Sequence, residues 1–326
     1  MAKKNKIVDF EVLFDDFFIE LNPETTLSPI EKKTVLSVIN DFQDGHWRKS
    51  KFQEFVWDNI AETSLSYKER IALINRPSTS LIESAKKLRL TDKEKDEKGK
   101  GSELAEIVLY GIMKHYYSAL PVVPKIFYKQ NVQDNAKGAD SVHIVVDMEN
   151  KTFSLWLGEA KFYNSIDDNR LGSIVQSVEN SLQSDKLEKE NSIITSLTDL
   201  EMYFKDGSNN FKDVEQEALY NSIIDYIKRG ESIDKVKPIL HIPILLLHEC
   251  TITKNCNELS EDYRNKIIAY HKDRAESYFK KQIDKFSRLI FKYDEIHFHL
   301  ILFPVPEKEP IINAFIQNVE HFKEQA

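Results

Sequence analysis

Asp140, Glu159 and Lys161 are the residues whose types and spacing suggest chemistry in this sequence. Ala139 to Asp147 and Thr152 to Lys161 are rich in strand formers, and the polar-leaning Met148 to Lys151 between them reads as a hairpin turn. With Glu149 and Asn150 at the centre of that turn, Asp140 stands directly opposite Glu159. Opposed side chains on one face of an antiparallel pair have Cβ atoms ~4.5–5.5 Å apart, and like charges there destabilise the sheet. A divalent cation is the simplest compensation. Period-two alternation also puts Lys161 on the face of Glu159, with Ala160 turned away.

Two carboxylates and an ammonium on one patch suit a hard cation such as Mg²⁺ or Mn²⁺, which takes oxygen ligands and is often held by one or two carboxylates plus substrate phosphate. A lysine beside the ion can orient water and neutralise charge building on a phosphate. The implied reaction is metal-assisted phosphodiester hydrolysis. The alternative is a solvated sheet face with an ordinary Glu–Lys pair, but Val142, Ile144, Leu155 and Leu157 fall on the same face, so the charges sit at the end of an apolar surface. Gly138 and Gly158, each just ahead of the charged residues, read either as room for a nucleic-acid backbone or as a bulge or strand end.

The elements that must position these residues follow from periodicity. Ser102 to Ser118 is a predicted helix with a buried stripe of Leu104, Ile107, Val108 and Ile112. It places Glu103, Glu106 and Tyr110 along one face. Glu103 suits the helix dipole as a first-turn carboxylate, whereas Glu106 lies deeper between Ala105 and Ile107 and is the better candidate for a helix-borne metal-site carboxylate. Lys125 to Val132 reads as a further strand before the hairpin, and Leu171 to Leu187 as a helix after it. Pro238 to His248 and Glu295 to Val305 read as buried strands around a long amphipathic helix, Asp262 to Tyr293. Residues 1–90 read as mostly helical, with helices over Pro29 to Phe42 and Trp47 to Ile60 and a possible role in partner contact. Residues 91–101, TDKEKDEKGKG, form a charged connector that sets off residues 102–326.

The segment 261–293 holds 9 basic and 5 acidic residues, with Tyr263, Tyr270, Tyr278, Phe279 and Phe286 interleaved. Lys280, Lys281, Lys285, Arg288 and Lys292 are the candidate phosphate contacts, with the aromatics either stacking on bases or packing inward. His297 and His299 alternate on one strand face but offer too few ligands for zinc. His241 and His248 read as core or strand-end residues, and the spacing of Cys250 and Cys256 fits neither a zinc knuckle nor a redox pair.

The chain as a whole has 326 residues, 45 Lys+Arg against 53 Asp+Glu, and a formal charge of −8. That balance argues against coating nucleic acid by bulk charge, though not against nucleic acid as a substrate. No apolar stretch approaches the ~20 residues of a membrane span, and only 2 Cys exclude a disulfide framework. The expected setting is cytoplasmic. No Gly-x-x-x-x-Gly-Lys-Ser/Thr occurs, so any ATP-driven step belongs to a partner.

A helix with Glu106, a strand opening on Gly138-Ala139-Asp140, a strand with Gly158-Glu159-Ala160-Lys161 and a helix bearing Gln176 together resemble the core of the PD-(D/E)XK nuclease superfamily, with Ala139 where the name carries proline. More narrowly, residues 101–106, GSELAE, with KGAD at 137–140 and GEAK at 158–161, resemble the HamA family, the nuclease subunits of the Hachiman anti-phage system. The resemblance implies an α/β (α+β) fold with a restriction-endonuclease-like core, a central mixed sheet flanked by helices. It implies a Mg²⁺-dependent deoxyribonuclease acting on DNA, held in check by a superfamily 2 helicase partner, HamB. Asp140, Glu159 and Glu106 would bind metal, Lys161 would act on water and phosphate, and Glu103 and Gln176 would be accessory. A stand-alone restriction-type endonuclease and a catalytically inactive regulator of the helicase are the alternatives.

Overall fold

A computed structural model describes residues 6–7, 10–90, 101–123, 126, 139–183, 200–201, 204–205, 211, 213–228 and 232–325. Ten strands appear among them, β1 (Lys6–Ile7), β2 (Phe10–Phe17), β3 (Lys33–Ile39), β4 (Phe42–Gln43), β5 (His46–Trp47), β6 (Leu120–Val123), β7 (Ser141–Asp147), β8 (Thr152–Tyr163), β9 (Leu240–Glu249) and β10 (His297–Val305). The helices are α1 (Phe18–Leu21), α2 (Lys49–Ser64), α3 (Tyr67–Ala72), α4 (Pro77–Lys87), α5 (Ser102–His115), α6 (Asp168–Ser181), α7 (Val214–Lys228), α8 (Ile233–Val236), α9 (Thr251–Lys254), α10 (Glu261–Leu289) and α11 (Lys308–Glu324). Of the expected elements, the connector at 91–100 and nearly all of the strand Lys125 to Val132, along with Gly138, lie outside the described residues.

Eight strands form one mixed sheet in the order β1-β2-β3-β10-β9-β8-β7-β6. β8, β9, β10 and β3 run parallel in its centre, and the outer pairings are antiparallel. β9 and β10 are almost continuously apolar, as strands of a parallel centre covered on both faces are. β7 and β8 keep the register expected of the hairpin, with Ser141 opposite Gly158 and Asp147 opposite Thr152. Asp147 fixes the turn by accepting the N–H groups of Glu149 and Asn150 on Oδ1, both at 3.0 Å. Lys151 takes the left-handed conformation, with φ 53°, that returns the chain.

The N-terminal region departs from expectation. Helix α2 is present, but the segment read as a helix over Pro29 to Phe42 contains β3, an interior strand between β2 and β10. The run TVLSVI is buried on both faces and rich in β-branched residues. Such a run has apolar residues three and four apart as well as two apart, so periodicity alone cannot distinguish strand from helix. The region is therefore not mostly helical, and its strands belong to the same sheet as the hairpin.

Side-chain parity divides the core. One face of the sheet carries Val142, Ile144, Leu155, Leu157, Ile244, Leu246, Leu300 and Leu302, covered by Leu171, Ile174 and Val178 of α6 and by Tyr278, Phe279 and Phe286 of α10. The other carries Trp156, Ala160, Phe162, Leu245, Leu247 and Phe303, covered by α2, α5 and α11 through Phe55, Leu104, Val108 and Phe315. On this second face the indole of Trp156 stacks 4.5 Å from the His241 ring and 4.3 Å from that of His299. His241 Nδ1 and His299 Nε2 share a hydrogen bond of 2.8 Å, and Thr34 of β3 bonds His299 Nδ1 at 2.8 Å. His297 stacks on His241 at 4.2 Å. Burial first, then neighbouring imidazoles, lowers His241 to about 2 and His299 to about 3.

These rings are neutral in the fold and protonate readily only once exposed, so stability is complete above the ordinary histidine pKa and is lost as pH falls below it. Each such ring is expected to cost about 2 kcal/mol between pH 6.5 and pH 5. Thermal midpoints measured across that interval should fall steeply; a flat profile would contradict this account of the cluster.

Candidate active site

β8 delivers Glu159 and Lys161 from alternate positions on the α6 side of the sheet, and Asp140 is brought to them from the end of β7. The Asp140 N–H donates to the Gly158 carbonyl at 2.7 Å, one residue before Glu159, its opposite number in the hairpin register, so the regular pairing ends at Ser141 and Asp140 turns out of it. Its Oδ2 accepts the Ala160 N–H at 3.1 Å and the Lys161 ammonium at 3.1 Å. The same ammonium lies 2.6 Å from Glu159 Oε1. Side-chain exposures of 16% for Asp140, 7% for Glu159 and 25% for Lys161 place the cluster where the core opens to solvent.

Two buried like charges must be compensated, and here Lys161 supplies the compensation. The Lys161 ammonium, which the sequence placed on the same face, lies against both carboxylates. Burial, and then the Asp140 charge, raises the Glu159 carboxyl above its ordinary range against the opposing pull of Lys161. Burial lowers the Lys161 ammonium, but the Coulomb attraction of Asp140 and Glu159 outweighs it and holds the group firmly protonated. Lys161 is therefore a fixed positive charge at neutral pH, suited to stabilising an anion and not to acting as a free base. Among the described residues no group of three or more His, Cys, Asp or Glu gathers as a metal site. The two carboxylates still fit a hard cation that keeps most of its waters, since oxygens of both lie within reach of one ammonium.

The other candidates fall elsewhere. Glu106 is buried on α5, which packs against the face opposite Glu159 and Lys161. Gly101 lies against Phe162 and Leu109 against Gly158, so α5 runs antiparallel to β8 and Glu106 stands near the level of Ala160. Glu103 accepts the backbone N–H groups of Arg89 and Leu90, both at 2.9 Å, and so fastens the end of the preceding segment to α5. Gln176 is exposed on α6, where it donates to Glu179 at 3.0 Å and accepts from Lys285 of α10. Its neighbour Ser177 reaches the cluster, donating to Glu159 Oε1 at 2.5 Å. Sequence reasoning missed Ser177; the available signal was its place beside the apolar stripe Leu171, Ile174 and Val178 rather than on the polar side.

On α10, Lys280 and Arg288 are exposed and Lys281 and Lys285 half-buried, while Tyr263, Tyr278, Phe279 and Phe286 are buried. Those aromatics serve the core and are not available to stack on bases. Lys285 pairs with Glu179 at 2.7 Å, and Lys292, just past the helix, pairs with Glu295 at 3.0 Å.

Gly158 also takes a different role from those its position suggested. It faces the α5 side, and a Cβ there would lie 2.2 Å from Ser141 Oγ and 2.7 Å from Leu109 Cδ2. Its lack of a side chain makes room within the core and not for an approaching nucleic acid.

An eight-stranded mixed α/β sheet with a half-buried carboxylate pair and lysine on one hairpin defines a mixed α/β protein with a built polar site at the edge of its core. The chain belongs to the HamA family, whose model matches residues 15–319. Membership makes it a component of Hachiman antiviral defence. No curated protein matches the sequence. Among the described residues no helix is long and apolar enough to cross a membrane.

Three substitutions probe the hairpin and its cluster without reference to activity. Gly158→Ala forces Ser141 and Leu109 apart and should cost about 1–3 kcal/mol of stability, the usual range for overpacking. Lys161→Met leaves two buried carboxylates unbalanced and should lower the thermal midpoint, and adding Glu159→Gln should restore part of the loss. Strictly additive effects in this double-mutant cycle would show that the ion pair carries no coupling.

Proposed function

We propose that the chain is a metal-dependent deoxyribonuclease with a restriction-endonuclease-like core, acting as the effector of its defence system under the control of a partner helicase. The observation that supports the reading is the junction of Asp140, Glu159 and Lys161 at the open end of one hairpin, where a single ammonium contacts both carboxylates, the residue types that metal-assisted phosphodiester hydrolysis uses. Family membership supports the defence setting.

Asp140 and Glu159 would hold Mg²⁺ or Mn²⁺, with Glu106, buried on the α5 side of the sheet, as the supporting carboxylate. The bound ion would supply Lewis-acid polarisation of the phosphate and a more acidic attacking water. Lys161, kept charged by its two partners, neutralises charge building on the phosphoryl oxygens and orients the water. The apolar surface on which the cluster ends strengthens these interactions by excluding bulk solvent.

Substrate binding falls to a local surface rather than to net charge, which is −8. Lys280, Lys281, Lys285, Arg288 and Lys292 lie along or just beyond the helix that packs beside α6, so a DNA backbone over α10 passes close to the cluster. A few phosphate contacts without a basic global field give weak, salt-sensitive binding. Such an enzyme gains from a partner that delivers DNA to it, and a superfamily 2 helicase of the HamB kind is the partner proposed.

Purified protein supplied with Mg²⁺, alone and with its helicase and ATP, should cut DNA in at least one of these settings. Asp140→Ala, Glu159→Ala and Lys161→Ala should each reduce cutting by at least 10²-fold. Cutting that survives Glu159→Ala and Lys161→Ala would refute the assignment. Retained phage defence with Asp140→Ala would instead point to a regulator of the helicase, and a reproducible cleavage sequence without any partner to a restriction-type enzyme.

A further inference from the structure

α6 carries three serines four residues apart, Ser173, Ser177 and Ser181, along one line of the helix. A serine within a helix commonly returns its hydroxyl to a carbonyl of the preceding turn. Ser173 does so to Asn169 at 3.5 Å, and Ser181 to Val178 at 2.8 Å. Ser177 instead reaches across to β8 and donates to Glu159 Oε1 at 2.5 Å. That oxygen also receives the Lys161 ammonium, at 2.6 Å. With both donors on one oxygen the carboxylate is held against rotation, and no described residue donates to Oε2.

The helix that presents Ser177 is itself fixed. Asp167 caps its N-terminus by accepting the Arg170 N–H at 2.9 Å, and Leu171, Ile174, Val175 and Val178 bury its inner face. Ion pairs tie it to α10 near both ends, Asp168 to Arg274 at 3.2 Å and Glu179 to Lys285 at 2.7 Å. A hydroxyl on so constrained a helix can fix the plane of a carboxylate, which one on a loop could not do as well.

We propose that Ser177 is the positioning residue of this site, orienting Glu159 so that Oε2 is presented to an incoming divalent cation. The proposal rests on the metal-nuclease reading above and adds to it the residue that sets the geometry of one ligand. Outer-shell partners of ligating carboxylates typically change metal affinity 10–100-fold.

The test is calorimetric titration of Mn²⁺ into the full-length chain and into Ser177→Ala, Ser177→Thr and Glu159→Gln, with a thermal midpoint for each. Ser177→Ala should weaken Mn²⁺ binding about 10-fold or more with its thermal midpoint preserved, and Ser177→Thr, which keeps the hydroxyl, should recover most of the affinity. Unchanged affinity in Ser177→Ala while Glu159→Gln loses binding would overturn the positioning role and leave the metal site standing. A loss that Ser177→Thr does not recover, with a lowered midpoint, would mark a packing role and overturn it too. If wild type and Glu159→Gln bind Mn²⁺ alike, or neither binds, the metal reading falls and takes the proposal with it.

Discussion

Two charged carboxylates sharing a half-buried corner of a sheet need either a positive charge between them or a shared proton, and in this protein Lys161 is that charge. Its ammonium contacts Asp140 and Glu159 together. The separation of groups inside the cluster depends on this balance. The attraction between lysine and carboxylates keeps Lys161 protonated in a setting that would otherwise lower its pKa, while the net negative charge of the trio leaves it receptive to a further cation. The balance within the cluster is thus set by the three side chains themselves.

The sheet decides what each neighbour of the cluster can do. Along β8, odd-numbered residues face α6 and α10, and even-numbered residues face α5. Glu159 and Lys161 therefore meet Ser177, whereas Gly158 meets Ser141 and Leu109. The absence of a side chain at Gly158 and the charge at Glu159 are adjacent in sequence but serve opposite faces of the sheet, one core packing and the other the charged cluster. Asp140 escapes this alternation because it lies just beyond β7, where its carboxylate can turn to accept the Ala160 N–H as well as the lysine.

The basic helix shows the same economy of placement. α10 gives its aromatic residues to the core and its lysines to the surface, and it is fastened to α6 at Arg274 and Lys285. The helix that would carry DNA contacts is thus mechanically continuous with the helix that holds Glu159. The histidines and Trp156 form a second polar assembly on the opposite face, joined to β3 through Thr34. Their rings are kept neutral by burial and hold the N-terminal strands to the parallel centre.

Local residue patterns determined the hairpin, its register, the shared face of Glu159 and Lys161, the two apolar central strands and the long amphipathic helix. Each of these follows from strand or helix periodicity and from turn chemistry, which act over a few residues. Three features could be decided only by tertiary structure. β3 became an interior strand because β2 and β10 cover both its edges, a context that a β-branched apolar run does not reveal by itself. Glu103, Gln176 and Gly158 found partners other than the cluster because helix rotation and sheet side are set by packing against distant segments. Ser177 entered the site for the same reason. Its place beside the apolar stripe of α6 was the one local signal, and which of the three serines meets the cluster was decided by the carboxylate that the sheet brings opposite it.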